Sequence, residues 1–206
     1  MLELKDICLK FGNEVILNKF NLTVEEHEKI VIKGTSGIGK STIINLILGF
    51  IKPDSGEIVW NGLPVTDDNI HILRSSVAWL SQDFMFGSGS VEDVMRFPFQ
   101  FKRNKNLAPG DEDIIRILGT LMLNKNILLK KFTDISEGQK QRIGLALCLL
   151  LDRRFILLDE PTSALDTESK QKVIDLFLGN EDLTVLTTSH DPEWVKKCDR
   201  IIEINN

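Results

Sequence analysis

Residues 34–41 read Gly-Thr-Ser-Gly-Ile-Gly-Lys-Ser, which fits G-x-x-x-x-G-K-[ST]. This octapeptide constrains the fold more than any other part of the chain, because such a loop does its work between a buried strand and the start of a helix. The flanks supply both: residues 29–33 form a short apolar, strand-like run, and residues 42–48 an apolar, helix-like one. In that setting the glycines let successive N–H groups turn inwards on phosphate oxygens, and the helix start adds its partial positive charge. Lys40 is expected to reach the terminal phosphates and the Ser41 hydroxyl to ligate Mg²⁺. Gly34, Thr35, Ser36, Gly37, Ile38, Gly39 and Thr42 complete the cradle. The competing reading is a flexible glycine turn. At average glycine usage a chance match arises roughly once in a hundred chains of this length, so nucleotide binding is the stronger reading.

Three more short apolar segments, 77–80, 155–158 and 184–188, each run into polar residues, as buried parallel strands do when their carboxyl ends carry functional loops. Near the N-terminus Leu2 and Leu4 alternate with Glu3 and Lys5. Residues 57–60 lead into Asn61-Gly62, a dipeptide suited to a type I′ hairpin, so an antiparallel sheet is expected there. Between Ser90 and Leu151 the period turns helical: Ser90-x-x-Asp93 is a capping start, and Ile114, Ile115, Leu118, Leu121 and Met122 recur at helical spacing. The predicted fold is α/β: a P-loop NTPase core (1–83 and 153–206), an N-terminal antiparallel β subdomain, and an inserted helical subdomain (84–152), all within one domain.

Charge and cysteine content narrow the function. A net charge of −5 argues against nucleic-acid binding, which rests on clustered lysine and arginine. Cys8, Cys148 and Cys198 lack metal-site spacing and are expected to be small buried apolar residues in a reduced compartment. The longest apolar runs, 43–51 and 143–151, fall well short of the roughly 20 residues a spanning helix needs. If the protein acts at a membrane, something else must hold it there.

Residues 155–160, Phe-Ile-Leu-Leu-Asp-Glu, place two carboxylates at the exit of a buried strand. Beside a phosphate loop, Asp159 can hold the water shell of Mg²⁺, and Glu160 can polarise an attacking water as general base.

With these residues in place, the remaining motifs resemble, in order, those of the ABC (ATP-binding cassette) ATPases, from Phe11 to the C-terminus. Residues 135–139, Ile-Ser-Glu-Gly-Gln, are similar to the family signature LSGGQ, departing at Ile135 and Glu137; Ser136-x-x-Gln139 is also a plain capping box. The resemblance implies that Ser136, Gly138 and Gln139 contact the γ-phosphate held by the opposite subunit of a dimer. It further implies that Gln82 ligates Mg²⁺ and links the site to a membrane partner, that Asp166 in Ser163-Ala164-Leu165-Asp166 belongs to a loop crossing to the other subunit, and that His190 contacts the γ-phosphate. His27 and His71 read as surface residues. Phe11 occupies the place of the adenine-stacking aromatic, with a core phenylalanine as the rival reading.

The family implies ATP and Mg²⁺, a homodimer in the ATP-bound state, a separate transmembrane permease, and a cytoplasmic location on the inner face of the cell membrane. Residues 96–103 interleave bases with aromatics. A single-strand nucleic-acid surface is one reading; the resemblance favours docking of a permease helix. A non-transport ABC ATPase acting on nucleic acid or ribosomes is the alternative, disfavoured because only 53 residues (83–135) separate Gln82 from Ser136. A GTPase would need a guanine motif that is absent. Residues 86–105 look similar to ATPase subunits of small bacterial two-component (Fet-type) iron exporters.

Overall fold

The computed structural model describes residues 1–35, 37–83 and 89–204. Ser36 and the first residues of the 86–105 segment therefore lie outside the described residues. In chain order the strands and helices are β1 (Leu2–Phe11), β2 (Glu14–Val24), β3 (Lys29–Lys33), α1 (Lys40–Ile47), β4 (Ser55–Trp60), β5 (Leu63–Pro64), α2 (Ile70–Ser76), β6 (Val77–Leu80), α3 (Val91–Arg96), α4 (Asp111–Thr120), α5 (Glu137–Leu150), β7 (Phe155–Asp159), α6 (Thr167–Leu178), β8 (Thr184–Thr188), α7 (Pro192–Lys197) and β9 (Arg200–Glu203).

Two sheets form. The first is antiparallel, in the order β2-β1-β4-β5, with Leu2 opposite Val24 on one side and Trp60 on the other. Asn61 and Gly62 join β4 to β5 with φ angles of 50° and 79°, the left-handed pair a type I′ turn requires. The second sheet is parallel, in the order β6-β7-β8-β3-β9. Its strand carboxyl ends therefore all open at one edge, and the loops after β3, β6, β7 and β8 meet there. The edge strand β9 has no counterpart in the sequence reading: its four residues are half charged, too few and too mixed to show a strand period.

Every residue of β7 is buried, which is why it is a continuous apolar run rather than an alternating one. Phe155 and Leu157 join the core between the two sheets, and Ile156 and Leu158 the core shared with the helical segments. The Phe155 ring meets Trp60 of the first sheet edge-on, with centroids 5.2 Å apart. Phe155→Ala is therefore expected to cost about 3–5 kcal/mol of stability, measured as the shift in a denaturant-unfolding curve.

In the helical stretch, Ser90 caps α3 reciprocally: its Oγ accepts from Asp93 N–H at 3.1 Å, and Asp93 Oδ2 accepts from Ser90 N–H at 2.8 Å. Ile114, Leu118 and Leu121 are buried as expected. Ile115 and Met122 are not. Helix α4 stops at Thr120, Met122 takes a left-handed φ of 59°, and both side chains are exposed, so the apolar stripe is narrower than their spacing suggests. The cysteines also divide: Cys148 is buried, whereas Cys8 and Cys198 are only half-buried. Phe11 at the end of β1 is 50% exposed, which removes the core reading. Among the described residues no helix is long and apolar enough to cross a membrane.

Candidate active site

The phosphate loop leaves β3 and enters α1 through two left-handed glycines, Gly37 (φ 84°) and Gly39 (φ 104°). At Gly39 a side chain is excluded twice over, since a Cβ would also stand 2.6 Å from Ile16 Cγ2. The first turn of α1 carries no acidic residue and no side-chain cap, so its N–H groups face the loop without an intramolecular anion. Lys40 Nζ donates to Gly34 O at 2.9 Å and Thr35 O at 3.1 Å, which holds the ammonium across the loop.

A cavity of about 540 Å³ opens over this loop, lined by Gly34, Thr35, Gly37, Gly39, Lys40, Ser41, Thr42, Gln82, Asp159, Glu160, Ser163 and His190. The loops after four parallel strands thus converge on one space. Asp159 is 6% exposed and accepts a hydrogen bond from the Thr188 hydroxyl at the end of β8. Glu160 has a left-handed φ of 50°, rare outside glycine. Its N–H is shared between Thr188 O at 3.0 Å and Thr188 Oγ1 at 3.1 Å, so β8 holds the strained residue in place. Glu160 Oε2 lies 2.9 Å from His190 Nδ1; with the proton on Nδ1, His190 donates to the carboxylate.

The donor set suits Mg²⁺. Ser41, Gln82 and Asp159 offer a hydroxyl, an amide and a carboxylate, all hard oxygens. Among the described residues no group of three His, Cys, Asp or Glu side chains forms a closed metal site. One carboxylate with two neutral oxygen donors fits an ion which keeps several waters and is held by one or two carboxylates together with substrate phosphates.

A second tier fixes the loop carrying His190. Asp191, 8% exposed, accepts from Lys170 Nζ at 2.8 Å, from Thr162 Oγ1 at 3.3 Å and, through Oδ1, from Glu193 N–H at 3.0 Å at the start of α7. Burial pushes this carboxyl up, but the Lys170 hydrogen bond, the Glu193 N–H and the Lys170 charge together outweigh it and hold Asp191 below the usual carboxylate range. A depressed folded value means that the stabilisation is fully present above the usual carboxylate pKa and is lost as pH falls through the folded one. Asp191→Asn should therefore lower stability at neutral pH and narrow the gap to the parent on acidification, as read by thermal unfolding along a pH series.

Not every expected residue reaches the cavity. The Ile38 side chain turns into the core between the sheets, because an apolar chain gains more there than beside phosphates. Phe11, Ser136, Gly138, Gln139 and Asp166 do not line it. Ser136 and Gln139 close a capping box on α5: Ser136 Oγ accepts from Gln139 N–H at 3.3 Å, and Gln139 Oε1 accepts from Ser136 N–H at 3.1 Å. The departing residue Glu137 points to solvent and pairs with Lys140 at 2.7 Å. Asp166 caps α6, accepting from Ser169 N–H and Oγ at 2.9 Å each, which holds its carboxyl low. His27 and His71 are exposed.

Three contributors escaped sequence reasoning: Thr188 behind both carboxylates and the Lys170–Asp191 pair; Ser163, expected as the start of the crossing loop, stands in the cavity wall. The available signal was polarity in the wrong place, since Thr187 and Thr188 end a fully buried strand directly after the apolar Val185 and Leu186. In the 96–103 segment Phe99 is buried, while Phe97 and Phe101 are exposed and meet edge-on at 5.2 Å. Arg96 is engaged by Glu92 and Asp111. The basic groups there are thus partly neutralised, which weighs against a nucleic-acid surface.

Comparison with known proteins shows the family. The family profile described as ABC transporter matches residues 17–163. The chain is 30% identical over 207 residues to the "Probable iron export ATP-binding protein FetA" of Escherichia coli (strain K12), covering 99% of this chain and 91% of that protein. It is also 30% identical to the "Energy-coupling factor transporter ATP-binding protein EcfA1" of Ureaplasma parvum, covering 100% and 71%. Among solved structures it superimposes on the ATP-binding cassette MJ0796, a dimer in a post-hydrolysis state with ADP and Pi. There the TM-score is 0.85 and the identity 28%, over 100% of this chain and 94% of that one. A second match is CbiO1 of Clostridium perfringens, part of the transporter complex cbiONQ (TM-score 0.79, 25% identity, 98% and 83% covered).

Proposed function

The chain belongs to the ABC transporter family as an ATP-binding, ATP-hydrolysing subunit, and on that premise we propose that it powers a separate membrane permease as a head-to-tail homodimer. The observation that carries this reading is the division of its motifs. Lys40, Ser41, Asp159, Glu160 and His190 share one cavity, whereas Ser136 and Gly138 stand apart from it at the start of α5. A second copy, reversed, brings its α5 start to that cavity and closes it on the γ-phosphate.

In this account the phosphate loop and Lys40 bind the ATP phosphates, and the half-exposed Phe11 stacks on the adenine. Ser41, Gln82 and Asp159 would hold Mg²⁺, which when bound would neutralise phosphate charge. Glu160 accepts the proton of the attacking water, and His190, 2.9 Å away, orients that carboxylate. Residues 1–83 and 153–206 act as the nucleotide-binding core. Residues 84–152 act as the lobe facing the permease, with Phe97 and Phe101 as part of its docking surface and Gln82 as the link. The chain then sits at the inner face of the membrane through its partner, with no direct role for nucleic acid.

For cargo we infer metal export, of iron, because FetA matches over nearly its whole length. Other relatives serve other cargoes, such as macrolides and sulfate, so the inference rests on this match and the 97–101 segment. The test is to solubilise native membranes in mild detergent and identify what co-purifies with the tagged chain. A multi-span membrane protein in comparable amount is expected, with raised cellular iron when the chain is deleted. A ribosomal or DNA-bound partner would overturn the transporter reading, and unchanged iron the cargo.

A further inference from the structure

Gln141 lies five residues beyond Ser136 on α5 and is 8% exposed. Among the described residues, its three side-chain hydrogen bonds all go to one turn of another part of the chain. Nε2 donates to Glu160 O at 2.8 Å and Ser163 Oγ at 3.2 Å, and Oε1 accepts from Ala164 N–H at 3.1 Å. Only one orientation of the amide satisfies a carbonyl and an N–H at these positions, so the side chain is fixed at both ends. One turn earlier, Gly138 packs directly on the same segment: a Cβ there would stand 2.6 Å from Ala164 O. On its other side α5 is tied to the end of α4 by Arg142, whose Nη1 donates to Leu121 O and Met122 O at 3.3 and 3.2 Å. The start of α5 and the 160–164 turn therefore move as one piece.

Glu160 needs such a support. Its left-handed backbone persists only if its surroundings over-determine it. Thr188 holds the N–H side of the residue and Gln141 the carbonyl side.

We propose that Gln141 is a positioning residue that locks the Glu160 backbone to the α5 start, so that a phosphate seated on Ser136 and Gly138 at one nucleotide site sets the carboxylate serving the other site. This rests on the head-to-tail dimer and on Glu160 as general base. It predicts that Gln141 matters for turnover and for communication between sites, not for binding ATP.

The full chain is compared with Gln141→Met, which keeps the length without the amide, and Gln141→Glu, which keeps the acceptor for Ala164 N–H but sets a second acceptor against Glu160 O. Glu160→Gln is assayed beside them. Binding of Mg-ATP should stay within about twofold of the parent while kcat falls about 10²-fold, the scale of a 1 Å misplacement of a reacting group. The Hill coefficient for ATP should fall from above one to about one. Variants with kcat within about threefold of the parent would overturn the proposal, as would variants that no longer fold at the assay temperature, which would make Gln141 a structural residue. If Glu160→Gln is inactive while the Gln141 variants are active, the positioning role alone falls. If Glu160→Gln turns over like the parent, the general-base reading falls and takes this one with it.

Discussion

Glu160→Gln is expected to bind ATP with near-parent affinity and to lose about 10²- to 10⁴-fold in kcat, the range general-base catalysis supplies. The substitution is close to isosteric. Its backbone would still be held by Thr188 and Gln141, and His190 Nδ1–H could still donate to an amide oxygen. What is lost is the capacity to take a proton from water, so the defect should appear in single-turnover rates and leave the binding isotherm intact. A variant as active as the parent would remove Glu160 from the chemistry.

Lys40→Met should act on the opposite quantity. The ammonium is held at the loop mouth by two carbonyls and, among the described residues, has no carboxylate partner there, which leaves its charge available to phosphate. Hydrogen bonds to charged groups contribute about 1.5–3 kcal/mol each. Losing one or two is expected to weaken ATP binding by about 10²-fold or more, at about 1.4 kcal/mol per factor of ten. Calorimetric titration with Mg-ATP measures it, and the thermal midpoint without nucleotide should barely move, since the hydrogen bonds of the Lys40 ammonium among the described residues stay within its own loop. Affinity within a few-fold of the parent would mean that the helix start and glycine backbone bind the phosphates without it.

The sequence displayed the parts of this site that obey strict stereochemistry. A loop that must turn through Gly37 and Gly39, and a strand buried on both faces before two acids, leave patterns that few other structures produce. The Ser90 and Ser136 capping boxes were legible for the same reason, because their partners lie three residues away. Contacts between distant residues were not. Nothing near Gln141 announces that its amide ends on Glu160, 19 residues on, and nothing near Lys170 points to Asp191. Periodicity also misled at two positions: Ile115 lies within α4 but on its exposed face, and Met122 follows the end of the helix with a left-handed φ that turns it out to solvent. The short edge strand β9 is defined only by its register with β3, Ile30 opposite Arg200, and that information is tertiary.

If one chain carries half of each of two composite sites, ATP itself joins two copies. The most direct measurement is sedimentation of Glu160→Gln with Mg-ATP and, separately, with Mg-ADP. Twice the mass of one chain is expected with ATP and a single chain with ADP. A single chain in both, with ATP demonstrably bound, would contradict it.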